Sequence, residues 1–294
     1  SVFGLLSLLD QKDAGWPEGG SLALAKSIET RYRELGGVIH YGAKVVRIVV
    51  RDGKACGVEL ADGSVHEAGE VIGAADGRST IFGMLGGRYL SDSLRKDYET
   101  LPLYTPLMQV SFGVRRLMTG TPRLTSYAFP KPMQVGGQSI GWAFLNVFAF
   151  DPTMAPDGCT AVTVNFWASY DYWDALSKDT ARYHEEKKRV ADDVLAWLET
   201  VHPGISADVE VVDVATPVTT VRYTGNYRAS YEGWRPTVGT MRKKIENTLP
   251  GLRSFTMIGQ WTASFAGLPT VAHDGRKVIQ KLCKEDGKTF VTTV

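Results

Sequence analysis

The strongest constraint on this fold is that its two ends carry the same kind of pattern and its middle carries another. Near the C-terminus the apolar run SFTMI ends in Gly259-Gln260. A loop containing Gly267 follows, and then LPTVAHDGRKVIQKLCKE reads as a helix opened by proline. Proline is tolerated at the first helical turn, because its missing N–H would be unsatisfied there anyway. Near the other end PEGGS opens LALAKSIETRYRELGG, which reads as a helix with Ser21 as its N-cap. Ala25, Ile28, Tyr32 and Leu35 share one face at helical spacing, and Gly36-Gly37 stops the helix. VIHY, KVVRIVV, KACGVEL, SVHEAG and EVIGAA follow as short strands, with turns at RDGK and ADGS. STIFGML reads as a short helix.

The middle has longer β-rich runs, heavy in aromatic residues: PLMQVSFGV, RLTSYAFP, SIGWAFLNVFAF and TAVTVNFWASY. These predict a large, mostly antiparallel sheet. A helix is predicted from Asp179 onward, with Tyr183, Val190, Val194 and Leu198 on one face. ADVEVVDVATPVTTV then reads as strand. The expected fold class is α/β with an α+β insertion. A discontinuous α/β layer is built from residues 1–90 and 240–294, and 91–239 form the inserted domain.

Composition excludes several function classes. Lys and Arg number 33 against 32 for Asp and Glu, so the basic excess of a nucleic-acid-binding protein is missing. Cys56, Cys159 and Cys283 are isolated, without CxxC or Cys/His ligand spacing. They fit a reducing compartment, which with the rest of the sequence predicts a cytoplasmic location, and no metal site is expected. No apolar run reaches the ~18 residues of a membrane span, so at most peripheral membrane contact is expected. SVFGLLSLLD lacks a basic flank and makes a poor signal peptide. SVFGLLSLL reads as a core helix rather than a monotopic membrane contact. The missing initial Met suggests a piece of a longer chain or a processed product.

Chemistry enters through backbone. Gly19-Gly20 before a helix lets a ligand approach closely, and free N–H groups at a helix start attract anions. In open α/β sheets ligands sit beyond the carboxyl ends of the strands. SFTMI is such a strand and Gly259-Gln260 its exit. The helix that begins near Pro269 turns its positive end toward the Gly267-Leu268 loop. There is no GxSxG, HExxH or P-loop. His273 and Asp274 are adjacent on the last helix and point in different directions, so they make no base pair for catalysis, and no catalytic residue is assigned. Phe166, Trp167, Tyr170, Tyr172 and Trp173 read either as sheet core or as the lining of an apolar pocket. Arg222, Tyr223 and GNYRASYEGW are candidates for the edge of a site.

GWPEGGSLALAKSIETRYRELGGVIHYGAKVVRI, DGKACGVELADGS, VIGAAD and MIGQWTASFAGLPTVAHDGR together resemble flavin-dependent oxidoreductases of the phytoene desaturase and retinol saturase type, within the wider amine-oxidase-like group. The resemblance runs from about Gly15 to the C-terminus. It implies an FAD/NAD(P)-binding-type layer with a substrate-domain sheet inserted into it. Gly19, Gly20 and Ser21 would lie near FAD, and Val45 at its adenine end. Ala74 and Ala75 would line the cofactor cleft. Gly259, Gln260 and Trp261 would approach the ribityl chain and phosphates. Gly267, Leu268, Pro269 and Thr270 would sit under the isoalloxazine. The implied reaction passes a hydride between an apolar, polyene- or isoprenoid-like small molecule and the flavin.

Two departures stand out. Where this family shows consecutive glycines, the chain has Ser264-Phe265-Ala266-Gly267, and Phe and Ala tolerate positive φ poorly. The family also opens with a strand–GxGxxG–helix unit that cradles the FAD pyrophosphate, yet no two glycines here are spaced G-x-G. The likeness is therefore to the C-terminal part of the family, and the layer is incomplete. A partner chain supplying the missing dinucleotide-binding half, or a homo-oligomer, would complete it. The alternative is a non-catalytic lipid-, prenyl- or protein-binding module of the same fold, without flavin.

Overall fold

Alternating side chains set the strands and turn chemistry sets their ends. The computed structural model describes residues 10–11, 15–241, 243, 245–262 and 267–292. SVFGLLSLL, expected as a core helix, and Ser264-Phe265-Ala266 lie outside the described residues. In chain order come α1 (Gly20–Glu34), β1 (Val45–Arg51), β2 (Lys54–Leu60), β3 (Val65–Glu67) and β4 (Val71–Gly73). A π-helical segment, Ser79–Met84, precedes α2 (Asp92–Thr100). Then follow β5 (Leu107–Val114), β6 (Leu124–Val135), β7 (Gln138–Val147) and β8 (Thr160–Trp167). The last elements are α3 (Tyr170–Leu176), α4 (Thr180–Val201), β9 (Val209–Ala215), α5 (Pro217–Thr224), α6 (Val238–Met241), β10 (Phe255–Met257) and α7 (Leu268–Glu285).

The chain divides into two units. One comprises Ser1–Tyr41, Met108–Phe166 and Ala181–Val214; the other comprises Gly42–Leu107, Trp167–Thr180 and Ala215–Val294. The first holds most of a five-stranded sheet of order β6-β7-β8-β5-β9, with β6–β7 and β7–β8 antiparallel. Period-2 alternation buries Met108, Val110, Phe112 and Val114 on β5, and Val162, Val164 and Phe166 on β8. The other face of these strands carries Gln109, Ser111, Thr163 and Asn165, all half-buried. Helix α4 buries Val190, Val194, Trp197 and Leu198. The Trp197 ring meets Phe129 edge-on at 4.9 Å. The stripe on α1 behaves differently: Ile28, Tyr32 and Leu35 are 63%, 50% and 66% exposed.

The second unit joins two small sheets, antiparallel β1-β2-β3 and parallel β4–β10. Its core brings together Ile48, Val71, Ile81, Leu85, Tyr98, Trp234, Leu252, Phe255 and Trp261. Chain segments about 180 residues apart in sequence thus pair side by side, Phe255 with Val71 and Met257 with Gly73.

Three local expectations give way. VIHY forms no strand; Val38 and Tyr41 are exposed. Ser21 does not cap α1. Gly19 stands at the cap with φ 76°, and no side chain bonds the helix start. TPVTTV is helix α5 rather than strand, because Thr216 and Thr219 form a reciprocal capping box and Pro217 opens the first turn.

Candidate functional site

Parallel pairing sends the exits of β4 and β10 out of the same sheet end. β4 leaves through Ala74-Ala75-Asp76 and β10 through Ile258-Gly259-Gln260, with the Ile258 amide donating to the Gly73 carbonyl at 3.0 Å. Ala74 and Ala75 are exposed. Asp76 is buried, and its carboxylate accepts from the Ser79 amide at 2.7 Å and the Tyr227 amide at 2.9 Å. The same side chain therefore caps the helical turn after β4 and clamps a segment far along the chain.

That segment, 226–231, closes over both exits. Gln260 Nε2 donates to Asn226 Oδ1 at 3.1 Å and to the Ser230 carbonyl at 3.5 Å. Arg228 and Ala229 hold φ of 52° and 57°, a left-handed backbone that costs L-residues free energy. Such strain persists only where surrounding contacts over-determine it, and it clusters at functional sites. The restraints here are Asp76, Gln260 and the Arg228–Asp171 ion pair, with Arg228 also lying over the Tyr170 ring. Of the residues named as candidate edges, Asn226 to Ser230 reach the strand exits. Tyr223 is 77% exposed on α5, with Arg222 over its ring. Phe166 and Trp173 are core residues, while Trp167 is exposed.

Gly267 precedes α7 with φ 113°; among the described residues no side chain caps the helix and no acidic residue stands in its first turn. Leu268 and Pro269 are exposed and Thr270 is half-buried. A Cβ built on Gly259 (φ 106°) or on Gly267 would meet no atom within 4 Å. Gly267 therefore offers exposed backbone beside a positive helix end, which suits an anionic, planar ligand, and Gly259 leaves room for a ligand at the exit of β10. The Gly259 amide itself is engaged, donating to Asp274 Oδ2 at 3.0 Å. Trp261 turns inward and is 2% exposed, its carbonyl accepting from Trp234 Nε1 at 3.1 Å.

The other anticipated residues are placed as follows. Val45 begins β1 opposite Leu60, half-buried. Gly19, Gly20 and Ser21 belong to the other unit. There the Gly19 amide donates to Asp151 Oδ2 at 3.2 Å, and a Cβ on Gly20 would lie 3.1 Å from Met154 Sδ. Asp76 and Arg78 escaped sequence reasoning, since Tyr227, the residue both of them meet, lies about 150 residues away in sequence. Among the described residues no His, Cys, Asp and Glu cluster suits a metal ion, and no helix is long and apolar enough to cross a membrane.

With this geometry in hand, similarity to known proteins is informative. The family model of flavin containing amine oxidoreductases matches residues 2–280. Prolycopene isomerase 1, chloroplastic, of an Oncidium hybrid cultivar is 28% identical over 242 residues, which are 81% of this chain and 39% of that protein. A lycopene-forming phytoene desaturase of Paracoccus sp. is 23% identical over 97% of this chain and 58% of its own length. The chain thus spans between about two fifths and three fifths of these two relatives. An oxidoreductase from Methanosarcina mazei superposes with a TM-score of 0.61 at 17% identity, covering 90% of this chain and 55% of that one. That likeness shows a shared mixed α/β fold.

Proposed function

Because the chain belongs to the flavin containing amine oxidoreductase family, we propose that it is the carboxyl-side portion of an FAD-dependent oxidoreductase acting on an apolar polyene or isoprenoid. The observation that carries this reading is Gly267, exposed at the start of α7, with Gly259 at the exit of β10 where a Cβ would meet nothing within 4 Å. The residues present fit the cofactor. Ala74 and Ala75 are small and exposed, and Gly267, Leu268, Pro269 and Thr270 offer backbone to a ring that carries negative charge at one edge. Gln260 would stand beside the ribityl chain and phosphates, and Val45 beside the adenine.

When bound, flavin supplies a two-electron acceptor or donor for hydride exchange with a substrate C–H bond. The chain's own residues then bind and orient. The clamped 226–231 segment holds one wall of the site, and the first turn of α7 stabilises negative charge. No acid–base residue is required of this chain at the reacting carbon. The substrate class follows from relatives named for phytoene desaturation and prolycopene isomerisation. Those catalytic names also disfavour the alternative, a flavin-free lipid-binding module. These 294 residues hold no GxGxxG, so a phosphate-cradling unit of that kind would have to come from residues outside them.

The test is a visible absorbance spectrum of the purified chain after incubation with FAD and desalting. Retained flavin bands are expected that bleach anaerobically as phytoene donates hydride, or that, once bleached by a reductant, return as lycopene accepts it. If no flavin is retained, and none returns when a dinucleotide-binding half from a relative is supplied, the reading fails.

A further inference from the structure

Arg78 leaves the carboxyl end of β4 two residues after the clamp residue Asp76. Gly77 fixes where it emerges. A Cβ there would fall 2.2 Å from the Tyr98 hydroxyl and 2.8 Å from Trp261 Cβ, so the backbone is pressed against the core at this point. The guanidinium carbon lies 4.9 Å from the Phe82 ring centre and 4.6 Å from that of Tyr227. Among the described residues its one hydrogen bond is long, from Nη1 to the Tyr98 carbonyl at 3.5 Å. Among the described residues no carboxylate forms an ion pair with it. The nearest acid in sequence, Asp76, spends its two oxygens on the Ser79 and Tyr227 amides.

A guanidinium carries five donors in a rigid plane, and that fork matches the paired oxygens of phosphate and carboxylate. Here two aromatic rings lie within cation–π distance of the guanidinium carbon. Most of the donors at its edge remain uncommitted. The side chain is half-buried, so its charge is less screened than a fully exposed one. It also stands at the end of a parallel strand, where α/β sheets bind ligands. We propose that Arg78 anchors an anionic oxygen group, phosphate or carboxylate, on the molecule that occupies the carboxyl ends of β4 and β10. Only the identity of that molecule rests on the flavin reading. The anchor itself rests on the placement of Arg78.

Calorimetric titration of the purified chain with FAD, riboflavin, inorganic pyrophosphate and oleate tests this directly. Arg78→Gln is expected to weaken at least one phosphate or carboxylate probe by on the order of tenfold, a loss typical of a charge-assisted pair. Riboflavin, which carries no anion, should bind within about twofold of the parent if it binds. Loss confined to FAD and pyrophosphate assigns the anion to a cofactor phosphate; loss confined to oleate assigns it to a substrate carboxylate. Failure of the flavin reading alone would show as no binding of FAD or riboflavin, with Arg78-dependent binding of pyrophosphate or oleate retained. The proposal is overturned if the parent binds no anionic probe, or if Arg78→Gln binds every one as the parent does. Should Arg78→Gln not fold, Arg78→Lys carries the same comparison, because it keeps the charge and loses the fork.

Discussion

Asp274 holds Gly259: its Oδ2 accepts the Gly259 amide at 3.0 Å and, at the same time, the Thr262 hydroxyl at 2.8 Å. One carboxylate on α7 therefore fixes the turn by which the chain leaves β10. The residue next to it, His273, takes no part in this clamp. Asp274 is a positioning residue, and its chemistry is acceptance rather than proton transfer.

Replacing Asp274 separates that role from charge. Asp274→Ala removes an acceptor shared by two donors and is expected to cost about 1–3 kcal/mol in urea unfolding. Asp274→Asn keeps one amide oxygen as acceptor and should lose less than half as much. Equal stability of Asp274→Ala and the parent chain would show that the turn does not depend on this clamp.

Asp76 is the counterpart on β4, and it carries more. It is 5% exposed, and removing it strands two N–H groups, one of them on Tyr227, 151 residues away. Asp76→Ala should cost about 1–3 kcal/mol, because two part-buried donors lose a charged acceptor. Amide exchange should rise at Tyr227 as well as at Ser79. Faster exchange at Ser79 alone would mean that the long-range bond contributes little.

These two carboxylates also show what the sequence could and could not reveal. Helix α7 was legible from Pro269 and its amphipathic spacing, and it spans Leu268–Glu285 as read. The strands β5, β7 and β8 were legible as β-rich, aromatic-heavy runs, a local property. TPVTTV misled because its β-branched residues favour strand, although Pro217 and the threonines three apart were a legible helix start. Ser21 was outranked as a cap by Gly19, whose φ of 76° no sequence pattern states. Beside local partners such as Ser79 and Phe82, Asp76, Arg78 and Gln260 meet Tyr227, Tyr98, Asn226 and Ser230 across the chain. Contacts spanning dozens of residues leave no periodic trace, so the wall of the site had to be seen in the structure.

The strained turn on that wall makes a paired prediction. Ala229 is 1% exposed with φ 57°, and Gly233, four residues on, has φ 69°. Ala229→Gly relieves left-handed strain of about 1–2 kcal/mol and gives back part of it as unfolded-chain entropy. A net gain of about 0.5–1 kcal/mol is expected. Gly233→Ala should do the reverse, losing about 2 kcal/mol or more, since its Cβ would sit 2.7 Å from the Gln260 carbonyl oxygen. Thermal melts of both variants check the pair. A destabilised Ala229→Gly would show that the strain is relieved elsewhere in the loop.

Alkaline pH supplies a last test, through two tyrosines of the second unit. Burial pushes the Tyr104 phenol up to about 12, with its hydrogen bond to Glu232 as the second cause. Burial, and then the negative charge of Asp76, raises Tyr98 further. In both cases the folded chain favours the neutral phenol, whereas the unfolded chain ionises it at its ordinary value of 10.0. The unfolded state therefore releases these protons first. Their contribution to stability is complete below pH 10 and is lost as pH rises from 10 through about 12. Urea midpoints measured across that window should fall, and Tyr104→Phe should flatten part of the fall. Ultraviolet titration of the folded chain should show Tyr98 and Tyr104 ionising after the exposed tyrosines, with one late step missing in Tyr98→Phe. A midpoint that does not change with pH in the parent chain would mean that neither phenol is held neutral by the fold.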